Sequence, residues 1–352
     1  ILEEYLEVLL EELVLRPVWD RWVVDRQRLA EVDLSSDAES VLSRRLSALE
    51  EPTRRLCSIA TVWGVGFPVS VVARAAEIDG DEARRRLREA SDAGVVVSTT
   101  RETPDRAGFR FTHDALAEEL WRSLEEKQRA AYHERLANAA YELGTVSKFA
   151  VAHHFTRGTF EHPDRVVEVC LEAGIDNAEG YRFAEGIELL EAARDAAEIQ
   201  GRRLPARAQF ALGRAYMEQD RNDEAIEELR SAVERADGNL EKAKYQLVLN
   251  RTAVAEFNLD GIEEGAAQVM ELLDEPLPKG RVGLSARIAR WYATYEFWKR
   301  RPPSRASTDR ERERYRLLTH AYDQMSVAAL FGNDVLKAAF TQYGRMAAAM
   351  RL

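Results

Sequence analysis

Histidine and cysteine are the first residue types to weigh for chemistry. His153-His154 and His113-Asp114 set an imidazole beside another imidazole and beside a carboxylate, pairings used in metal ligation and acid–base catalysis. A zinc site needs three or four convergent ligands, and no acidic residue or cysteine stands at ligating spacing from His153. His113 precedes an expected helix start, so capping by Thr112 or Asp114, or packing, is the expected use of that segment. Cys57 and Cys170 each fall inside an apolar helical pattern. Two cysteines so placed make neither a zinc site unaided nor a disulfide framework, and they suit a reducing cytoplasm. The sequence contains no Gly-x-Ser-x-Gly elbow and no His-Glu-x-x-His. These residues predict a chain that is not itself an enzyme and holds no metal.

Two clusters have the composition of binding surfaces. Arg287, Trp291, Tyr295 and Trp298 recur at helical spacing, with Tyr292 beside them and Lys299, Arg300, Arg301 and Arg305 following. Aromatic and Arg side chains dominate the energetics of protein interfaces, so Arg287, Trp291, Tyr292, Tyr295, Trp298 and Arg300 are the candidate partner-binding residues. The competing reading is packing between helical hairpins. Arg84, Arg85 and Arg88 lie on a helix that precedes a β-rich segment, where they could meet phosphates or guanine edges. Asp81, Glu82, Glu89 and Asp92 share that helix, which favours an ordinary solvated charged face.

The elements that must position these residues are mainly helical. With 352 residues, 45% hydrophobic and 32% charged, the chain is long enough for two or three folded domains. Its net charge of −11 opposes non-specific attraction to nucleic acid or anionic membranes. No apolar run approaches the ~18 residues of a membrane span and no signal peptide is visible, so a cytoplasmic protein is expected. The sequence begins at Ile1, mid-pattern and without Met, as a piece of something longer would.

Leu2, Leu6, Leu9 and Leu13 form one helical stripe, ended by Pro17; Trp19 to Leu34 reads as a strand-and-loop connector around Trp22, Val23 and Val24. Ser36-Asp37-Ala38-Glu39 is a capping box for a helix carrying Leu42, Leu46 and Leu49. Pro52 opens a second helix through Leu56, Ile59 and Trp63, and Pro68 to Ile78 a third. Asp79-Gly80-Asp81 caps a fourth that ends at Gly94. The period then changes to two over Val95 to Thr99 and Phe109 to Thr112, separated by a turn at Pro104-Asp105 and Gly108. Helices followed by a β-hairpin predict a winged-helix unit, with two more helices to Leu143.

From about residue 146 the helices come in pairs. Gln209, Leu212, Gly213 and Tyr216 on one helix, then Ala225, Leu229 and Ala232 on the next, fit the tetratricopeptide pattern of small residues at the crossing and large ones between. Gly174, Gly186, Leu190 and Ala193 align upstream, and Ala253, Gly265, Val269 and Leu272 downstream, in steps of 39 and 40 residues. The acidic stretch Asp220 to Glu228 reads as a solvated face. Helices near 281–300, 309–330 and 333–351 are expected to continue the stack, with Pro302-Pro303-Ser304 as a turn.

The order of parts resembles the C-terminal half of STAND-class signalling ATPases. Leu2-Glu3-Glu4-Tyr5 to Leu13 resembles the last helix of the ATPase; Arg44-Arg45-Leu46, Arg54-Arg55-Leu56 and Ala60 resemble the start of the winged helix. Phe109-Arg110-Phe111-Thr112-His113-Asp114-Ala115-Leu116 resembles the family's Phe-x-Phe-x-His segment, and Ala152-His153-His154-Phe155 its entry to the repeats. No Gly-x-x-x-x-Gly-Lys-Ser/Thr loop is present, so the resemblance implies a nucleotide-binding domain upstream of Ile1, with ATP and Mg²⁺ bound there and no cofactor bound by this chain.

The expected architecture is therefore mainly α: the end of an upstream region over 1–34, a winged-helix domain over 35–143, and a tetratricopeptide-like α-solenoid over 144–352. The expected function is a non-catalytic sensor that binds a protein, peptide or small effector on the repeats and couples it to the upstream ATPase, through which it would oligomerise. A DNA-binding regulator and a free-standing scaffold are the alternatives.

Overall fold

The computed structural model describes residues 42–99, 108–301 and 308–352, with Pro303 and Ala306 and, nearer the start, Leu6, Leu9, Leu10, 14–18, 21–25 and Arg28. The described residues are mainly helical with little sheet. They fall into two compact units, Ile1–Val169 and Cys170–Leu352. No helix among them is long and apolar enough to cross a membrane. The stripe residues Leu2 and Leu13, the capping box at 36–39, the Pro104-Asp105 turn, Pro302, Ser304 and Arg305 lie outside the described residues.

In the first unit, β1 (Leu15–Val18) pairs antiparallel with β2 (Arg21–Val24), so Pro17 sits within a strand. Trp22, Val23 and Val24 are exposed, unlike the apolar centre expected of them; Val14, just before β1, is the buried residue here. After a helical stretch over 42–47 come α1 (Glu51–Trp63), β3 (Gly66–Pro68), α2 (Val69–Ala75) and α3 (Gly80–Asp92). Pro52 occupies the first turn of α1, where a missing N–H costs nothing, and the Asp79 carboxylate accepts from Asp81 N–H to start α3. Gly94, at φ 72°, turns the chain out of α3.

β4 (Val96–Ser98) and β5 (Gly108–Phe111) follow, and β3 pairs with the far edge of β5, giving the antiparallel order β3-β5-β4. Phe67 stacks on Phe109 and tilts against Phe111, so β3 is held by side chains as well as by its ladder. Leu56, Ile59, Val72, Leu87, Phe111 and Leu116 are fully buried between this sheet and the helices. Cys57 joins them, and burial pushes its thiol up to about 12, leaving it unreactive.

Three helices then carry the chain onward: α4 (Asp114–Ser123), α5 (Glu126–Leu143) and α6 (Lys148–Phe155). Thr112 Oγ1 donates to the Gly94 and Val95 carbonyls, so it ties the sheet to the end of α3 and does not cap α4; the His113 side chain makes no capping bond either. α7 (Pro163–Glu179) contains the division between the units, beyond the 143/144 junction read from the sequence. The cause is polar: Arg165 donates to Asn138 and Glu142, and Tyr141 donates to Glu168, fastening the first turns of α7 to α5.

A buried carboxylate fixes the α6–α7 loop. Glu134 is 1% exposed and accepts from the Thr159 and Phe160 N–H groups (3.2 and 3.1 Å) and from Asn138 Nδ2 (3.1 Å). Glu134→Ala orphans two loop donors, and a loss of about 2–3 kcal/mol is expected in urea denaturation. Glu134→Gln keeps one acceptor oxygen and should lose less; equal losses would show that the loop is held otherwise.

The second unit contains the end of α7, then α8 (Phe183–Ile199), α9 (Ala206–Met217), α10 (Asn222–Arg235), α11 (Asn239–Ala255) and α12 (Leu259–Leu272). After these come α13 (Gly280–Arg300), α14 (Asp309–Phe331) and α15 (Val335–Ala349). Helices cross closely where glycine removes the Cβ. A Cβ at Gly174 would lie 2.7 Å from Leu190 Cγ, and one at Gly213 would lie 2.8 Å from Leu229 Cγ and 3.1 Å from the Ala225 carbonyl. In the third pair Gly265 faces Asn250, one helical turn before the aligned Ala253; Asn250 donates to the Ile262 carbonyl and to Gln324.

The turns inside the pairs share one design. At Tyr181, Asp220, Phe257 and Asn333 a residue with φ between 56° and 62° bends the chain, and the next residue's N–H returns to the helix just ended.

Packing follows chain order from α8 through α12, but the expected continuation does not hold beyond it. α14 packs directly on α12, and α13 packs on α15. The core explains the exchange: Leu317, Leu318, Ala321, Tyr322 and Met325 of α14 join Val269 and Met270 of α12 and Leu273 just after it, whereas α13 has one fully buried residue, Leu284, with Ile288 and Trp291 partly buried.

Candidate functional site

An open groove of about 910 Å³ in the second unit is lined by α9 and α11, the last residue of α7 and the start of α14. Its floor is Phe210 stacked on Tyr245, ring centroids 4.2 Å apart and 17° from parallel, with Ala211 and Leu240 alongside. Both rings are almost wholly buried, 7% and 2% exposed, so the floor is a rigid base packed into the core that shows a ligand only its edge.

The walls are charged. Arg207 pairs with Glu179 at 2.8 Å, Lys244 Nζ stands 5.6 Å above the Phe210 ring, and Arg310 and Glu313 close one side. Tyr245 OH donates to Glu241 at 2.6 Å, and burial with that bond raises its pKa; the phenol stays neutral and is fixed in place. Arg214 donates to the Ala178 carbonyl at 2.6 Å, so it braces the rim instead of reaching for a ligand.

Sequence periodicity had found the other stripe of α9. Gln209, Leu212, Gly213 and Tyr216 face the neighbouring helices and are all buried, as are Ala225, Leu229 and Ala232 opposite them. Arg207, Phe210, Ala211 and Arg214 repeat at i, i+3, i+4 and i+7, a second face of the same helix. That spacing is the signal through which the groove could have been found.

On the opposite side, Tyr216 OH donates to Glu191 at 2.7 Å under the Arg221 guanidinium, and Arg194 reaches Glu228 at 3.4 Å. Glu228 is thus half-buried in a polar network and its pKa is raised by burial, so the stretch Asp220 to Glu228 is not uniformly solvated.

The candidate aromatic ridge lies on α13 and is divided between packing and surface. Trp291 meets Tyr322 edge-on at 5.8 Å and Phe340 at 5.0 Å, and Arg287 bonds Glu275 at 3.0 Å while lying over the Trp291 ring. Arg351 covers Trp298, and Lys299 covers Tyr295. Tyr292 and Arg300 are exposed, Tyr292 lying edge-on to Tyr343. Trp291 and Arg287 therefore hold α13 to its neighbours, while Tyr292, Arg300 and the edges of Tyr295 and Trp298 remain at the surface.

In the first unit Arg84 bonds Asp81 at 2.7 Å, Arg85 pairs with Glu82, and the Arg88 Nε donates to the Arg84 carbonyl. Arg84 and Arg85 are thus answered by acids of the first turn of α3, and Arg88 by the helix backbone.

The histidines do converge. His133 Nδ1 lies 2.8 Å from His154 Nδ1, His154 stacks on Trp63 at 4.5 Å, and Trp121 meets His133 edge-on. One imidazole must donate and the other accept. Burial, then the neighbouring histidines and Arg157, lower His133 to about 4 and His154 to about 3, so both are neutral at pH 7. Among the described residues, no three His, Cys, Asp or Glu side chains are arranged to hold a metal ion.

Comparison with family models, with curated proteins and with solved structures returned no match in any of the three.

Proposed function

We propose that this chain is a non-catalytic interaction region whose groove between α9 and α11 binds a protein segment or small effector. The observation that carries the reading is the groove itself: a stacked aromatic floor between walls that present charges of both signs. Extended grooves lined by successive helices bind peptides along their length, with aromatic anchors for affinity and flanking charges for register.

The wider architecture in this proposal is a winged helix followed by tetratricopeptide-like hairpins. The β3-β5-β4 sheet following helices supports the first, and the glycine crossings at Gly174 and Gly213 support the second. By resemblance, the region belongs to a STAND-class ATPase, and an occupied groove would shift the winged-helix part against an upstream nucleotide-binding domain, relieving autoinhibition. Extending the coding sequence upstream of Ile1 tests this part: a phosphate-binding Gly-x-x-x-x-Gly-Lys-Ser/Thr loop is expected.

The groove is tested with Lys244→Glu/Arg310→Glu. Both side chains line it and Lys244 is exposed, so the fold should persist. A partner captured by the parent chain and measured by calorimetry should bind the variant at least tenfold more weakly, about 1.4 kcal/mol. Unchanged affinity would place the binding surface elsewhere.

A further inference from the structure

We infer that the edge formed by the α11–α12 and α14–α15 turns is a second docking surface, for a basic amphipathic helix of a partner protein. Phe257 and Phe331 are each 62% exposed and meet edge-on, with centroids 4.9 Å apart; Leu330 and Val335 on the second turn are 64% and 77% exposed. Four large apolar side chains in water on two adjoining turns do not help the chain fold.

Phe257 has φ 58°, in the left-handed region that bulky side chains disfavour. The same turn design uses Asp220 and Asn333 elsewhere, residues that tolerate this conformation, and it also uses Tyr181, another exposed aromatic. The backbone therefore does not single out Phe257; its exposed contact with Phe331 and the charge around it do.

Charge selects the occupant. Glu256, Asp260 and Glu264 are exposed around the first turn, and no Lys or Arg lies between 252 and 264. On the second turn Lys337 is held by Glu263 at 2.6 Å, with Asp334 alongside at 3.9 Å. An apolar centre with an acidic rim complements a helix that is apolar on one face and Lys- or Arg-rich on the other. The same rim repels anionic lipid, and it would repel a second copy of itself. This surface shares no residue with the groove, so each can fail without the other.

The test uses fluorescein-labelled 16-residue amphipathic peptides with Leu on one face and Lys on the other, and a counterpart set with Glu for Lys, read by anisotropy against the whole chain. Expected are saturable binding of the Lys set, at least tenfold weaker binding of the Glu set, and unchanged binding by Lys244→Glu/Arg310→Glu. Phe257→Gly should weaken binding at least tenfold while the melting temperature holds or rises by about 2 °C, since glycine accepts this φ freely. The inference is overturned by no binding, by equal binding of both sets, or by Phe257→Gly binding normally. It is also overturned if that variant melts several degrees lower, which would make Phe257 structural. Sedimentation showing a dimer abolished by Phe257→Gly would overturn it too, by assigning the surface to self-association.

Discussion

Gly213→Val lowers the stability of the helical hairpins by about 2–3 kcal/mol, read as a reduced urea midpoint in circular dichroism. The Cβ of any substituent falls 2.8 Å from Leu229 Cγ and 3.1 Å from both the Ala225 carbonyl and the Leu229 nitrogen. Leu229 can rotate, but backbone cannot, so α9 and α10 must separate and loosen the contacts of Leu229 and Ala232 with Phe210 and Tyr245. Alanine has higher helix propensity than glycine by about 0.8–1 kcal/mol, which opposes the clash. Gly213→Ala should therefore lose less than Gly213→Val. A Gly213→Val protein as stable as the parent would mean that the crossing is not close. The change also displaces the groove floor, so partner affinity should fall with it.

Acidification from pH 7 to pH 5 destabilises the chain by roughly 2 kcal/mol for each of His133 and His154. Both are held below the ordinary histidine value of 6.5, to about 4 and about 3. Between those values and 6.5 the unfolded chain binds protons that the folded chain does not. Stability is therefore fully present above about pH 6.5 and is lost as pH falls through about 4 for His133 and about 3 for His154. Groups facing the pair include His153 and Arg157, whose charge opposes protonation, and the rings of Trp63 and Trp121. The double substitution His133→Phe/His154→Phe removes both titrations. Its unfolding free energy should flatten over this range whatever its absolute value. An unchanged slope would assign the acid sensitivity to carboxylates elsewhere.

Periodicity reads what is local and repeated. The stripe Gln209, Leu212, Gly213 and Tyr216 was legible because one helical face carries both the small crossing residue and its large neighbours, and all four are buried. The starts of α1 and α3 were legible in Pro52 and Asp79. Three features were not. β3 is three residues long and follows a helix break directly, too short for an alternating pattern. The His133–His154 pair spans 21 positions and two helices, so no spacing announces it. The exchange of α13 and α14 depends on which helix has the larger apolar face, which an expectation of stacking in chain order does not weigh; Trp291 of α13 packs on α15 through Phe340. The groove lay between these cases: its stripe on α9 was visible, but nothing in the sequence shows that Arg207 and Phe210 share a hollow with Lys244 and Arg310.

Hydrogen–deuterium exchange of the chain with and without a captured partner tests the groove most directly. Amides over 206–217 and 239–255 should gain protection together, with the 281–300 helix and the first unit's 80–92 helix unchanged. Protection confined to 80–92, or to the surface residues of 281–300, would contradict the account.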